Sequence, residues 1–289
     1  MIERLALIGT GLIGGSITLA ARNSGFVHQV TGFDQNPAHL DAALAAGIID
    51  RATSTIEEAV HRADLIVIAV PVGAMPAVLA ELRPCWNADA VYTDVGSTKL
   101  NVIESLVSIF GFVPENFVPG HPIAGLEQSG PMAATPTLFE KKRVILTPTL
   151  ETRPEALSRV VLLWEALGAR VSEMEPGQHD EILAATSHLP HVLAFALTDM
   201  LGTKDETVQI FKYAAGGFRD FSRIASSDPR MWRDICLANR DALVPLIQEY
   251  CAVLSRTAAM LQSGDSIELQ EHFAHARNAR QRFLDQFDQ

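Results

Sequence analysis

Cysteine is scarce in this chain: Cys85, Cys236 and Cys251 are three in 289 residues. Their odd number and wide spacing give neither a disulfide framework nor a C-x-x-C or metal-ligand set. The reading is buried thiols in a reducing compartment, and hence a cytoplasmic protein with no metal site. Basic residues are also in short supply, with 23 Lys and Arg against 34 Asp and Glu, a net charge of −11. That balance argues against nucleic acid or an anionic membrane as partner. Any anionic substrate must then be held by local arginines, because the global field repels it. No stretch is apolar for long enough to span a bilayer. The apolar N-terminal run reads as a strand that leads into a glycine turn, not as a signal peptide. No Walker loop, H-E-x-x-H, Ser/His/Asp order, internal repeat or low-complexity linker is visible.

What is present begins at once. Leu5-Ala-Leu-Ile8 runs into Gly9-Thr-Gly-Leu-Ile-Gly-Gly15 and then into a segment with helical apolar spacing. Gly9, Gly11 and Gly14 read G-x-G-x-x-G. Gly9 permits the tight turn, Gly11 lets a pyrophosphate approach bare backbone, and Gly14 lets the helix pack close to the strand. The helix N-terminus at Leu12 and Ile13 offers unpaired N–H groups and a positive dipole end. A second strand, Gln29–Phe33, ends at Asp34, about twenty residues beyond Gly14, where the fold wants a carboxylate for the adenosine ribose. The cofactor-binding set is therefore Gly9, Gly11, Leu12, Ile13, Gly14 and Asp34. Asp34 favours NAD over NADP, since it repels a 2′-phosphate and neither Gln35 nor Asn36 supplies a cation to hold one.

Further apolar strands follow at Leu65–Val70, Ala90–Asp94, Arg143–Thr147 and Ala169–Met174, alternating with helical segments. This alternation predicts an α/β fold with a doubly wound, mostly parallel sheet. Beyond Glu175-Pro-Gly177 no strand is legible. Asp180–Leu201 reads as a helix interrupted by Pro190, Met231–Leu261 as a helix kinked at Pro245, and Ile267–Phe287 as a final amphipathic helix. The expected boundary falls at residue 174, with an NAD-binding Rossmann-type domain over 1–174 and an all-helical second domain over 175–289.

Candidate chemistry sits in four places. His121, in Gly120-His-Pro-Ile-Ala-Gly125, reads as lying on a loop after a strand. It is either a general base beside the nicotinamide or a turn histidine held for backbone reasons. His188 and His191 share a helix face in Ser187-His-Leu-Pro-His191. Metal ligation with His179 or Asp180, capping of a Pro190 kink, and ligand binding all stay open. Phe211–Arg223 reads as a loop dense in Gly, Arg, Lys and aromatics, in which Gly216-Gly217 marks backbone that tolerates no side chain. Its Arg219 and Arg223 form a carboxylate clamp or surface ion pairs. Ser97, in Val95-Gly-Ser-Thr98, is a helix N-cap or a hydroxyl facing nicotinamide and substrate.

Taken in order, these motifs resemble the prephenate/arogenate (cyclohexadienyl) dehydrogenase family of tyrosine biosynthesis. The match includes Asp94-Val-Gly-Ser-Thr-Lys99, Gly120–Gly125, Ser187–His191, Gly216–Ala225 and Ser227-Asp-Pro-Arg-Met-Trp-Arg-Asp234. The resemblance implies an NAD-dependent oxidoreductase that oxidatively decarboxylates prephenate, arogenate or both. It makes His121 the base and Arg223 the carboxylate anchor, and it counts Ser97, at the substrate site, with His121 as catalytic. Ser187, His191, Gly216, Asp220 and Trp232 line or complete the substrate site. It also implies a homodimer through the helical domain, and the length leaves room for no mutase or regulatory domain. Two other readings are a two-domain 3-hydroxyacid or imine reductase and a non-catalytic NAD-binding regulator. The first typically has a lysine, or no histidine, where this chain has His121, and the order of the later motifs disfavours it; the second has no need of His121 and Arg223 together.

Overall fold

The computed structural model describes residues 2–126 and 128–287. They form two compact units, residues 1–240 and residues 241 onward. The first unit opens with β1 (Ile2–Ile8), α1 (Leu12–Asn23), β2 (Val27–Phe33), α2 (Pro37–Ala45), β3 (Arg51–Ala52) and α3 (Ile56–Val60). It continues with β4 (Leu65–Ile68), α4 (Met75–Leu82), β5 (Val91–Asp94), α5 (Leu100–Phe110) and β6 (Phe117–Val118). These six strands form one sheet in the order β3-β2-β1-β4-β5-β6, with every pairing parallel. The strand order reverses between β1 and β4, and a doubly wound sheet takes its ligand in the crevice at that point.

Period two explains why the central strands read as unbroken apolar runs. Leu5, Leu7, Leu65, Val67 and Val118 enter the core on one face, whereas Ala6, Ile8, Ile66, Ile68 and Phe117 enter the core on the other. A parallel sheet covered by helices on both sides buries both sets. Each such Leu, Ile, Val or Phe side chain contributes roughly 1.5–3 kcal/mol on leaving water.

The expected strands beyond β6 do not extend this sheet. β7 (Gly120–Pro122), β8 (Arg143–Leu146) and β9 (Arg170–Glu173), with α6 (Pro154–Ala166) between the last two, form a separate three-stranded sheet in the order β7-β8-β9. Its β7–β8 pair is antiparallel and its β8–β9 pair parallel. The switch occurs at Gly120, whose N–H turns to the Asp94 carboxylate at 3.1 Å, while the Pro119 carbonyl already accepts from Thr147 N beyond β8. Gly120 permits the close passage, since a Cβ there would lie 3.1 Å from both the Asp94 carbonyl oxygen and Leu146 Cδ2. His121 therefore sits on a strand, not on a loop.

After β9 the described residues form only helices: α7 (Pro176–Leu183), α8 (Leu189–Val208), α9 (Gly216–Ser222), α10 (Pro229–Ala238), α11 (Arg240–Ser263) and α12 (Ser266–Phe287), with short 3₁₀ turns. Pro190 does not interrupt a helix. It stands in the first turn of α8, where its missing N–H costs nothing, and a π-turn over Ala184–His188 joins α7 to α8. The single helix expected over Met231–Leu261 is two, broken at Asn239, whose buried side chain is used elsewhere. Phe211–Arg223 is largely helical. Gly216 and Gly217 open α9, and a Cβ at either would meet nothing within 4 Å. The second unit carries α11 beyond its first residue, and α12. Among the described residues no helix is long and apolar enough to cross a membrane.

Candidate active site

The glycine turn behaves as its sequence demands. Gly9 has φ of 95°, and a Cβ there would stand 2.3 Å from the Ala69 carbonyl oxygen. A Cβ at Gly14 would stand 2.2 Å from the Gly9 carbonyl oxygen and 2.8 Å from Leu7 Cδ1. At Gly11, by contrast, a Cβ would meet nothing within 4 Å. The turn is thus closed where the chain packs on itself and open where a ligand would approach. Gly15 N–H donates to the Gly11 carbonyl at 2.8 Å, so the N–H groups of Leu12 and Ile13 lie ahead of the helical ladder.

Gly11, Leu12 and Ile13 line a cavity of about 660 Å³ whose other walls include Ala69–Ala74, Gly96, Ser97 and, from α10, Arg230 and Arg233. The donors at a helix N-terminus and this volume fit a dinucleotide. Asp34 is 14 % exposed. Its Oδ2 accepts from Thr10 N at 2.8 Å and Thr10 Oγ1 at 3.0 Å, and its Oδ1 accepts from Asn36 N at 2.9 Å. The carboxylate thus braces the glycine turn from within, a contact that sequence spacing alone does not reveal.

Next to this cavity runs a buried polar chain. Lys99 Nζ donates to Asp94 Oδ2 at 2.5 Å and to the Gly120 carbonyl at 2.7 Å. Asp94 also accepts from Gly96 N at 2.8 Å and Gly120 N at 3.1 Å. The end of β5 is thereby tied to the start of β7 and to His121. His121 Nδ1 lies 2.9 Å from His179 Nε2, and His179 Nδ1 lies 2.7 Å from Asp180 Oδ1. Asp180 in turn accepts from Lys99 N at 2.8 Å and Leu100 N at 2.9 Å. Asp180 therefore caps α5, and Ser97 is not its N-cap. Ser97 instead lines the cavity. Burial above all, and then the nearby His179, Lys99 and His188, hold the His121 imidazole well below the usual histidine range. It is neutral, and a proton acceptor, at neutral pH.

The helical segments supply the rest. His188 is buried. Its Nδ1 accepts from Asn239 Nδ2 at 3.0 Å, and Asn239 also donates to the Asp180 carbonyl at 2.7 Å. Burial is the main cause that pushes His188 down to about 4. His188 is therefore a satisfied core histidine and caps nothing at Pro190. His191 stacks on Trp232 with ring centroids 3.6 Å apart, and its Nδ1 donates to the Ser187 carbonyl at 2.9 Å. Burial lowers the pKa of His191, and the charge of the nearby Arg223 lowers it further. Trp232 is buried, yet its Nε1–H has no hydrogen-bond partner among the described residues.

The structure thus joins His121 to His179 and Asp180, and gathers His191, Trp232 and Arg223 in a second group. His188 relates to both, since it acts on His121 and meets Trp232 edge-on at 6.1 Å. Gly216 and Asp220 stand exposed on α9 and enter none of the hydrogen bonds or ring contacts that join these groups. Sequence reasoning missed Asp94, Lys99 and Asn239, and saw His179 and Asp180 only as possible metal ligands. The adjacent His179-Asp180 pair, in a chain with nine histidines, was the available signal.

A parallel sheet in this order with a glycine-bound cavity at its switch point defines a dinucleotide-binding protein. Residues 17–173 match the family model "Prephenate dehydrogenase, nucleotide-binding domain", and residues 175–275 match "Prephenate dehydrogenase, dimerization domain". The chain belongs to the prephenate dehydrogenase family. It is similar to a cyclohexadienyl dehydrogenase of Zymomonas mobilis, at 38% identity over 97% of this chain and 96% of that protein. It is also similar to a prephenate dehydrogenase of Bacillus subtilis, at 35% identity over 97% of this chain and 76% of that protein. The structure of Aquifex aeolicus prephenate dehydrogenase with hydroxyphenyl propionate and NAD+ superimposes with a TM-score of 0.90. It is 36% identical, over 98% of this chain and 99% of that one.

Proposed function

We propose that the chain oxidatively decarboxylates prephenate, arogenate or both, with NAD, to 4-hydroxyphenylpyruvate or tyrosine. The observation that carries this reading is His121, neutral, with one ring nitrogen bonded to His179, on the strand tied to the end of β5. Both substrates are cyclohexadienols with a C4 hydroxyl opposite a ring carboxylate. Bound NAD supplies the acceptor for the C4 hydride. His121 takes the hydroxyl proton as that hydride departs, and the pair from the breaking C1–carboxylate bond enters the ring as carbon dioxide leaves. His121 then returns its proton to the new phenolic oxygen. A weak base suffices, because the hydroxyl becomes far more acidic as C4 loses hydride, and aromatisation drives the sequence forward.

Arg223 anchors a substrate carboxylate, as an acidic protein requires of a local cation. His191 and Trp232 form one wall of the substrate site. Ser97 stands between nicotinamide and substrate, and Ser187, Gly216 and Asp220 complete the site. Residues 1–174 act as the cofactor domain and residues 175–289 as the substrate and dimerisation domain of a cytoplasmic homodimer. Exposed Val244, Leu254, Leu261, Ile267 and Phe273 on α11 and α12 are the apolar surface that dimerisation would bury. The test is NADH absorbance after separate addition of prephenate and arogenate. Reduction of NAD with either supports the proposal, and no reduction with either overturns it.

A further inference from the structure

Resting on the reading of His121 as the base, we propose that His179 and Asp180 are positioning residues which hold His121 in a single tautomer. In that tautomer Nδ1 carries the hydrogen and Nε2 presents its lone pair to the substrate hydroxyl.

The assignment follows from donors and acceptors in turn. Asp180 receives two backbone N–H groups, from Lys99 at 2.8 Å and Leu100 at 2.9 Å, at the N-terminus of α5. Both carboxylate oxygens thus accept from the backbone at the N-terminus of an eleven-residue helix. Oδ1 is already the acceptor of the Lys99 N–H, so His179 Nδ1, 2.7 Å from it, is the donor of that bond. With Nδ1 as the donor, Nε2 is the nitrogen that His179 offers as an acceptor. The His121 nitrogen 2.9 Å from it is Nδ1, which must therefore donate in turn. One hydrogen is thereby spent on Nδ1, and Nε2 is left as the acceptor.

The same chain serves both states of the base. When Nε2 takes the hydroxyl proton, the Nδ1–H bond to His179 stays as it was, and no ring has to turn. The titratable and charged groups acting on His121 are His179 from α7, Lys99 from the turn before α5 and His188 from the π-turn. Lys99 is held by Asp94 and His188 by Asn239, so among the described residues His179 is the one bonded to the His121 ring. His179 and Asp180 are almost fully buried, and a buried carboxylate is costly unless its lone pairs are filled. Here three N–H donors meet the carboxylate.

The experiment is ¹⁵N NMR of histidine-labelled protein, in which protonated and bare ring nitrogens differ widely in shift, together with steady-state kinetics. The expected result is the Nδ1–H tautomer at His121 in the wild type. His179→Leu should lose that single tautomer and lower kcat, by a factor below the roughly 10²–10⁴ that a general base contributes. His179→Gln should recover part of the loss, since its amide oxygen accepts from Nδ1–H. An Nε2–H tautomer in the wild type overturns the proposal. So does a folded His179→Leu with wild-type kcat, or a His179→Gln no better than leucine. Near-normal turnover by His121→Asn would sink the underlying assignment of the base, whatever the tautomer proves to be.

Discussion

Lys99 and Asp94 form an ion pair with no exposed side-chain surface on either partner, 2.5 Å from Nζ to Oδ2. The pair does more than neutralise itself, since the same ammonium holds the Gly120 carbonyl and the same carboxylate holds Gly120 N–H. Two different sheets are thereby joined at the residue before His121.

Lys99→Met should therefore be costly to the fold. It leaves Asp94 buried with backbone donors only, and removing one partner of a buried pair costs about 3–5 kcal/mol. Urea unfolding of the variant measures this. A loss under about 1 kcal/mol would show that the N–H groups of Gly96 and Gly120 satisfy Asp94 without the lysine.

The base assignment has a pH signature. Burial holds the His121 imidazole well below the ordinary histidine value, so its neutral form persists into mildly acidic solution. The acid limb of kcat/KM should lie below pH 6.5 and not at it. His121→Asn should lower kcat by roughly 10²–10⁴ with substrate KM changed by only a small factor. A wild-type limb at or above the ordinary histidine value would remove the burial argument.

Asp34 is expected to set cofactor preference. Asp34→Ser combined with Asn36→Arg should raise efficiency with NADP relative to NAD. It should also weaken NAD binding, because Asp34 supports Thr10 in the glycine turn. Asn36 accepts from Ala38 N as the cap of α2, so the double variant should lose roughly 1 kcal/mol of stability as well. Kinetics with both cofactors and a thermal melt measure the three effects. Equal wild-type efficiency with NADP and NAD would count against Asp34 as the discriminator.

Arg223 is expected to anchor a substrate carboxylate. Hydrogen bonds to charged groups contribute about 1.5–3 kcal/mol, so Arg223→Ala should lower kcat/KM by roughly 10- to 150-fold, mainly through KM. Arg223→Lys should recover only part, since an ammonium lacks the planar fork. NAD affinity, measured alone by calorimetry, should hold. A loss of NAD affinity with unchanged substrate KM would assign Arg223 a structural role.

The sequence alone determined those parts governed by local chemistry. The strand–glycine–helix start, the carboxylate at Asp34 and the apolar runs of β1 and β4 depend on backbone freedom, residue spacing and double-sided burial. Each is visible within a few residues. The loss of strands after residue 174 is equally local. Only the tertiary structure decided that β7, β8 and β9 leave the main sheet, since there the Gly120 N–H bonds the Asp94 side chain from a distant strand end. It alone supplied Asp180 as the cap of α5, because that carboxylate arrives from eighty residues away. His121, His179 and Lys99 met for the same reason. A hydrogen bond is specified by position in space, and local propensity carries no record of which distant groups will be brought within 3 Å.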